Sequence, residues 1–245
     1  MRSMFAIFFT FMFVTAYAAN EIPSYIHPCG RKDPNYSQCF ADNINSVKSY
    51  ICTGIPELNF PPQEPLIIDN IDIFDTDNLK LFLKNSKLRG ICNFDITSHN
   101  VSSDRLHFEF SVTIKNISMD SVYNFDIRLL QLPLANEGII HITLDNVNGK
   151  ISIDAKEVIK NGKKQLYLSK VNSILNIKTF NYEFDESEKD LHELHKIFIE
   201  IINKNLQEII NIVTPKLEKT MSKLLIFVTN TIVYNRFEQL FPDEA

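Results

Sequence analysis

The sequence predicts an α+β fold in which a long, curved antiparallel β-sheet wraps around a long C-terminal α-helix. Three observations predict it: strict apolar/polar alternation between Leu106 and Ile114, a change to helical period from Ser187 onward, and the length of the apolar stripe on that helix. A stripe of about forty residues spans roughly 60 Å at 1.5 Å per residue. A compact globule of 245 residues cannot cover it, whereas an equally elongated sheet can.

The chain opens with Arg2, an unbroken apolar run from Met4 to Val14, and Ala16-Tyr17-Ala18 ahead of the polar Asn20. This pattern predicts a secretory signal peptide over residues 1–18, with cleavage after Ala18 and a single domain over 19–245. The run is shorter than the roughly 20 apolar residues that a bilayer core requires, so no stable membrane insertion is expected. Cleavage would leave 24 basic against 30 acidic residues, a net charge of −6. Nucleic-acid binding is not expected at that balance, because counterion release needs clustered Lys and Arg. Lys204, Lys216, Lys219 and Lys223 alternate with Glu200, Glu208 and Glu218, the pattern of a solvated helix face.

Four cysteines in a secreted chain are disulfide candidates. Cys29 and Cys39 flank the turn-forming stretch Gly30 to Asn35, across which a small loop closes easily. Cys52 and Cys92 either pair with each other or remain buried thiols. No Cys-x-x-Cys or Cys-x-x-His spacing occurs, so no metal is expected.

Next come Phe40, Ile44, Val47 and Ile51 at helical spacing, stopped by Gly54 and Pro56. A Pro-rich extended crossing through Pro61, Pro62 and Pro65 follows. From about Leu66 to Phe184 the chain reads as strands, with turns expected at Asn78, Asn85, Ser102-Ser103-Asp104, Asn136-Glu137-Gly138 and Asn161-Gly162. Even positions are apolar from Leu106 to Ile114, then odd ones at Ile117, Met119, Tyr123, Phe125, Ile127 and Leu129. A period of two cannot change parity without an extra residue or a bend, here near Lys115 and Asn116. Alternation returns at Ile140, Ile142 and Leu144. The final helical run includes Leu191, Leu194, Phe198, Ile202, Leu206 and Ile209, and Pro215 is expected to kink or divide it.

Several segments in this order resemble a known family. They are Ile22-Pro23-Ser24-Tyr25-Ile26-His27-Pro28-Cys29 with Cys39 following, Gly54-Ile55-Pro56-Glu57-Leu58, and Pro61-Pro62-Gln63-Glu64-Pro65-Leu66. Further along are Asn203-Lys204-Asn205-Leu206 and Tyr234-Asn235-Arg236-Phe237-Glu238-Gln239-Leu240-Phe241-Pro242. Together they resemble the insect takeout and juvenile-hormone-binding proteins over essentially all of the mature chain. The resemblance implies a highly twisted sheet around the helix, enclosing an apolar tunnel in the tubular lipid-binding manner. It also implies a Cys29–Cys39 disulfide and gives no role to Cys52 and Cys92. Where the family commonly has Trp after the Asn-x-Asn of the last helix, this chain has Leu206, and it holds no Trp at all. That departure bears on the ligand more than on the fold.

None of the six glycines forms a Gly-x-Ser-x-Gly, a Walker loop or a Rossmann turn. His192-Glu193-Leu194-His195 lacks the His-Glu-x-x-His spacing of a zincin and reads as a solvated first helical turn. No catalytic residue and no cofactor are expected.

The candidate ligand-binding residues are Phe108, Phe110, Val112, Tyr123, Phe125, Ile127, Ile140 and Ile142 on the sheet, facing Phe198, Ile202, Leu206 and Ile209 on the helix. The residue pattern alone favours a filled core, because interiors pack densely; the resemblance implies the tunnel. Tyr123 offers a hydroxyl to orient a ligand, or is a core aromatic with its tip in solvent. Asn35, Asn100 and Asn116 stand in Asn-x-Ser sequons and are glycosylation candidates, Asn100 in a polar turn and Asn116 if the bend turns it outward. The function implied is a secreted, non-catalytic carrier of a hydrophobic hormone, a fatty-acid-like molecule or an isoprenoid. The competing class is an extracellular interaction protein with a filled core, acting through its acidic surface on a receptor.

Overall fold

The computed structural model describes residues 22–58, 60–129, 132–185, 192–234 and 236–244. The stretch expected to be a signal peptide lies outside the described residues.

After a loop closed by the Cys29–Cys39 disulfide comes helix α1, Tyr36–Thr53. The short turn Pro56–Leu58 and the Pro-rich crossing lead into seven strands of one antiparallel sheet. These are β1 Leu66–Asp75, β2 Leu79–Arg89, β3 Phe94–Val101, β4 His107–Leu129, β5 Leu132–Lys160, β6 Lys163–Asn176 and β7 Asn181–Phe184. Helices α2, His192–Lys204, and α3, Leu206–Val233, follow, and the short α4, Phe237–Leu240, ends the fold.

The sheet is built on one long hairpin. β4 and β5 pair without a register shift from His107↔Asp154 to Leu129↔Leu132. β2 and β3 share the outer edge of β4, while β6 and β7 share that of β5. The parity change read at Lys115 and Asn116 is a bend rather than an extra residue. Both residues are exposed between buried Ile114 and Ile117, and Asp145 and Asn146 are exposed between buried Leu144 and Val147. Ile114 pairs with Val147 and Ile117 with Leu144, so both strands turn their faces over at one level. Asn146 takes φ 53 there.

At this level the chain also crosses from β2 to β3. Gly90 has φ 88, and a Cβ on it would collide with the Asn116 carbonyl oxygen. The Glu64 carboxylate accepts the backbone N–H groups of Gly90 and, at 3.0 Å, of Ile91. Cys92 is joined to Cys52, in the last turn of α1. A disulfide, two hydrogen bonds and a close backbone approach therefore meet at one waist.

Two expected turns are strand instead. Asn85 sits inside β2 with φ 51, at a register shift between Lys84 and Lys87, and is a bulge. Asn136-Glu137-Gly138 lies within β5, where Gly138 faces Tyr123 and its missing Cβ leaves room for the tyrosine ring.

The C-terminal helical run is divided at Asn205, not at Pro215. The Asn205 side chain donates to the Ile201 carbonyl at 2.7 Å, and its backbone N–H is shared between Ile201 and Ile202. A side chain competing for backbone acceptors in this way ends α2. Pro215 stays inside α3 because it and Asn211, whose carbonyl it leaves without a helical donor, both lie on the exposed face. Three side chains of α3 bond the backbone of edge strand β6. Glu218 accepts from Leu175 N–H at 2.8 Å, Ser222 from Ser173 N–H at 3.1 Å, and Asn230 from Leu168 N–H at 2.7 Å. The edge is thereby covered and the helix fixed along the sheet.

Candidate ligand-binding cavity

Three apolar voids follow one another along α3. The largest, about 270 Å³, lies in the half of the molecule that holds α1, β3 and the C-terminal end of α3. A middle void of about 30 Å³ sits at the waist, against Ile114, Ile117, Leu144 and Val147. A third, of about 70 Å³, lies in the other half beneath α2. The middle void shares Met221, Ile91 and Ile114 with the largest, and Leu217, Leu88, Leu144 and Ile177 with the third. From Ile209 to Val233 the voids border α3 over about 36 Å at 1.5 Å per residue. The interior is therefore a tunnel interrupted at the waist.

Each void has a local cause. In the larger half, Phe40 packs on Phe108 at 4.8 Å between ring centres and lies 6.1 Å from Phe241, holding α1 off the sheet. The α1 stripe Phe40, Ile44, Val47 and Ile51 faces Leu224, Leu225, Val228 and Ile232 of α3 across the cavity. In the other half the far end is plugged by rings. Phe125 lies 4.6 Å from Phe198, and Tyr123 and Phe184 stand 5.3 Å apart edge to face. Between the plug and the waist the small void remains, with Thr214 as its polar wall residue. The Thr214 hydroxyl is buried and finds no hydrogen-bond partner among the described residues.

The candidate residues divide accordingly. Phe108, Phe110 and Val112 wall the largest void, and Ile140, Ile142, Phe198, Ile202 and Ile209 the third, beneath α2. Tyr123, Phe125 and Ile127 are buried but border none of the three, because the ring plug fills the space in front of them. Leu206 is half-buried and away from the voids, since the break at Asn205 shifts the helical phase on which the continuous stripe depended. The Tyr123 hydroxyl is hydrogen-bonded to His195 Nε2 at 3.0 Å and accepts from Asn136 Nδ2 at 2.8 Å. His195 is thus not simply solvated: it is half-buried and stacked on Phe184 at 4.8 Å. The side chain of His192 lies outside the described residues.

The residues that sequence reasoning missed are the α1 stripe and the second half of the α3 stripe. Both were visible as amphipathic periodicity, but nothing in a single sequence says which stripe faces empty space. Among the described residues no three His, Cys, Asp or Glu side chains converge to hold a metal ion, and no helix is long and apolar enough to cross a membrane. Asn35, Asn100 and Asn116 are all exposed, Asn100 within β3 rather than in a turn, and Asn116 bonded to Asp145 at 2.8 Å.

Comparison with known proteins agrees with this architecture. The model of the haemolymph juvenile hormone binding protein (JHBP) family matches residues 7–242. The chain is 21% identical over 239 residues to the circadian clock-controlled protein daywake of Drosophila melanogaster, covering 93% of this chain and 91% of that protein. It is 20% identical to the daywake of Drosophila yakuba over the same shares. The crystal structure of Epiphyas postvittana Takeout 1 superposes with a TM-score of 0.65 at 17% identity, over 84% of this chain and 94% of that one.

Proposed function

We propose that this chain, which belongs to the haemolymph juvenile hormone binding protein family, is a secreted, non-catalytic carrier that shields a hydrophobic small molecule from water. The observation that carries the reading is the apolar cavity of about 270 Å³, continued past the waist by further voids along one helix. Interiors normally close such space, because each unfilled volume forfeits dispersion contacts. Here walls pinned by two disulfides and by the α3 hydrogen bonds to β6 keep it open.

The energetics suit a carrier. Burying about fifteen methylene-equivalents at ~0.8 kcal/mol each gives roughly 12 kcal/mol. Association costs of about 4 kcal/mol or more leave affinity in the micromolar range. The signal-like start and the paired cysteines support secretion.

The test is to purify the protein natively from a secreting host, extract it with organic solvent and identify co-purifying molecules by mass spectrometry. A stoichiometric isoprenoid or fatty-acid-like species is expected. An empty protein that also fails to take up lipophilic dyes would refute the carrier and leave the filled-core interaction protein as the better account.

A further inference from the structure

The walls of the three voids are apolar except at a few positions, and none of the wall residues is acidic. One is a permanent cation, Lys48 of α1. Its stem forms part of the wall of the largest cavity, and its side chain is 25% exposed, at the seam between α1 and β3. A lysine placed this way keeps its ammonium at the wet edge of an apolar space.

The partners of Lys48 leave capacity for a ligand. Nζ donates to the Phe94 carbonyl at 2.6 Å and lies 5.2 Å from the centre of the Phe94 ring, itself a wall of the cavity. The nearest carboxylate, Asp95, is 3.9 Å away, beyond hydrogen-bond reach. Asp95 is also held from its other side by Lys115 at 3.1 Å, and that hydrogen bond pulls its pKa below the ordinary value. An ammonium has three donors; the geometry uses one of them well. Two other polar side chains of this wall are engaged with the protein. Asn43 bonds both the N–H and the carbonyl of His27, and Gln63 donates to the carbonyls of Pro61 and Pro62.

We infer that the large cavity takes a long-chain carboxylic acid, its carboxylate on Lys48 Nζ at the α1–β3 seam and its tail running along α3 toward the waist. The inference deepens the carrier reading and rests on it. A single ammonium with one direction committed to a carbonyl matches a monoanionic head; the walls hold no acidic residue, and the charge of the neighbouring Asp95 is countered from its other side by Lys115.

Palmitic acid and its methyl ester are compared as displacers of a neutral lipophilic naphthylamine dye from the purified full chain, at about pH 8, where the carboxyl is ionised. The acid is expected to bind roughly ten- to hundredfold more tightly than the ester, the worth of one charge-assisted hydrogen bond. Lys48→Met is expected to abolish that preference, and Lys48→Arg to retain it. Equal binding of acid and ester by the native chain overturns the assignment of the head group and leaves the carrier standing, as does a preference that survives in Lys48→Met. If dye, acid and ester all fail to bind, the carrier reading falls, and this assignment with it.

Discussion

Leu217 is 9% exposed where α3 passes the waist, and it walls both the middle void and the one beneath α2. Leu217→Ala removes about three carbons, worth roughly 2.4 kcal/mol of transfer free energy at ~0.8 kcal/mol each. Leaving empty space adds about 24 cal/mol per Å³. The side chain already faces voids of about 30 and 70 Å³, so it has fewer contacts to lose than a closely packed leucine. The expected cost is therefore about 3 kcal/mol, toward the low end of the leucine-to-alanine range. That lowers the melting temperature by roughly 6–12 °C in a chain of this size. Binding should move the opposite way. Met221, unbranched and adaptable, yields to a ligand tail; Leu217 is the fixed partition behind it. Opening it lets a tail continue, each further buried methylene adding ~0.8 kcal/mol, about fourfold in Kd. The assay is thermal unfolding beside a chain-length series of saturated fatty acids displacing a lipophilic dye. In the native chain the gain per methylene should stop at a definite length, and in Leu217→Ala it should continue by several carbons. A plateau at the same length in both proteins would refute Leu217 as the partition, and an unchanged melting temperature would refute its place in the core.

Four shorter predictions accompany it. Thr214→Val, which removes a buried hydroxyl without a partner among the described residues, should stabilise the ligand-free protein by about 1 kcal/mol, read as a rise in melting temperature. Removing the Cys52–Cys92 bridge, whose cysteines are 40 residues apart, should cost about 4 kcal/mol, against about 3 kcal/mol for Cys29–Cys39 with a separation of 10; chemical denaturation of the two double alanine variants ranks them. His107 of β4 has its pKa raised by hydrogen bonding to Asp154 of β5 at 2.7 Å, so its contribution is complete below the ordinary imidazole value and is lost as pH rises through the raised one. Native-minus-His107→Gln stability, from denaturant titrations, should accordingly be a few tenths of a kcal/mol larger near pH 6 than near pH 8.5, solvent screening keeping it small. Gly90→Ala forces a Cβ against the Asn116 carbonyl at positive φ and should destabilise by more than 1 kcal/mol in circular-dichroism melts, with a silent result locating the β2–β3 crossing elsewhere.

Much of the fold was legible because a strand or helix declares its buried face. The alternation at Phe108, Phe110, Val112 and Ile114 and its reversal at Lys115 and Asn116 located the bend to the residue. Which explanation of the reversal holds was not legible, since an extra residue and a bend differ only in the partner strand, where Asp145 and Asn146 repeat the pattern. Asn136 to Gly138 read as a turn because their conformational freedom is real, but here it is spent on admitting the Tyr123 ring. Pro215 drew attention as the breaker of the last helix, while the side-chain hydrogen bond of Asn205 did the breaking. The site was less legible than the fold for a related reason. Periodicity says that Phe125 and Phe108 both point inward; it does not say that rings from Phe184 and Phe198 fill the space before one, while the other, packed on Phe40, still borders the largest void.

That difference between filled and unfilled halves follows from the frame. At about 24 cal/mol per Å³, an empty cavity of about 270 Å³ corresponds to roughly 6.5 kcal/mol of lost stability, as much as many domains possess in total. An unconstrained α1 would collapse onto the sheet and recover it. The two disulfides anchor the helix at opposite ends, Cys39 to the preceding loop and Cys52 to the crossing before β3. The cysteines that the sequence left without an assigned role tie the end of α1 to the start of β3 beside the cavity. A ligand that fills the space returns the lost contacts to a wall already held in place, so loading raises stability without reorganising the frame. The sign of the coupling follows: reduction should lower the stability of the ligand-free chain first, and bound ligand should protect it.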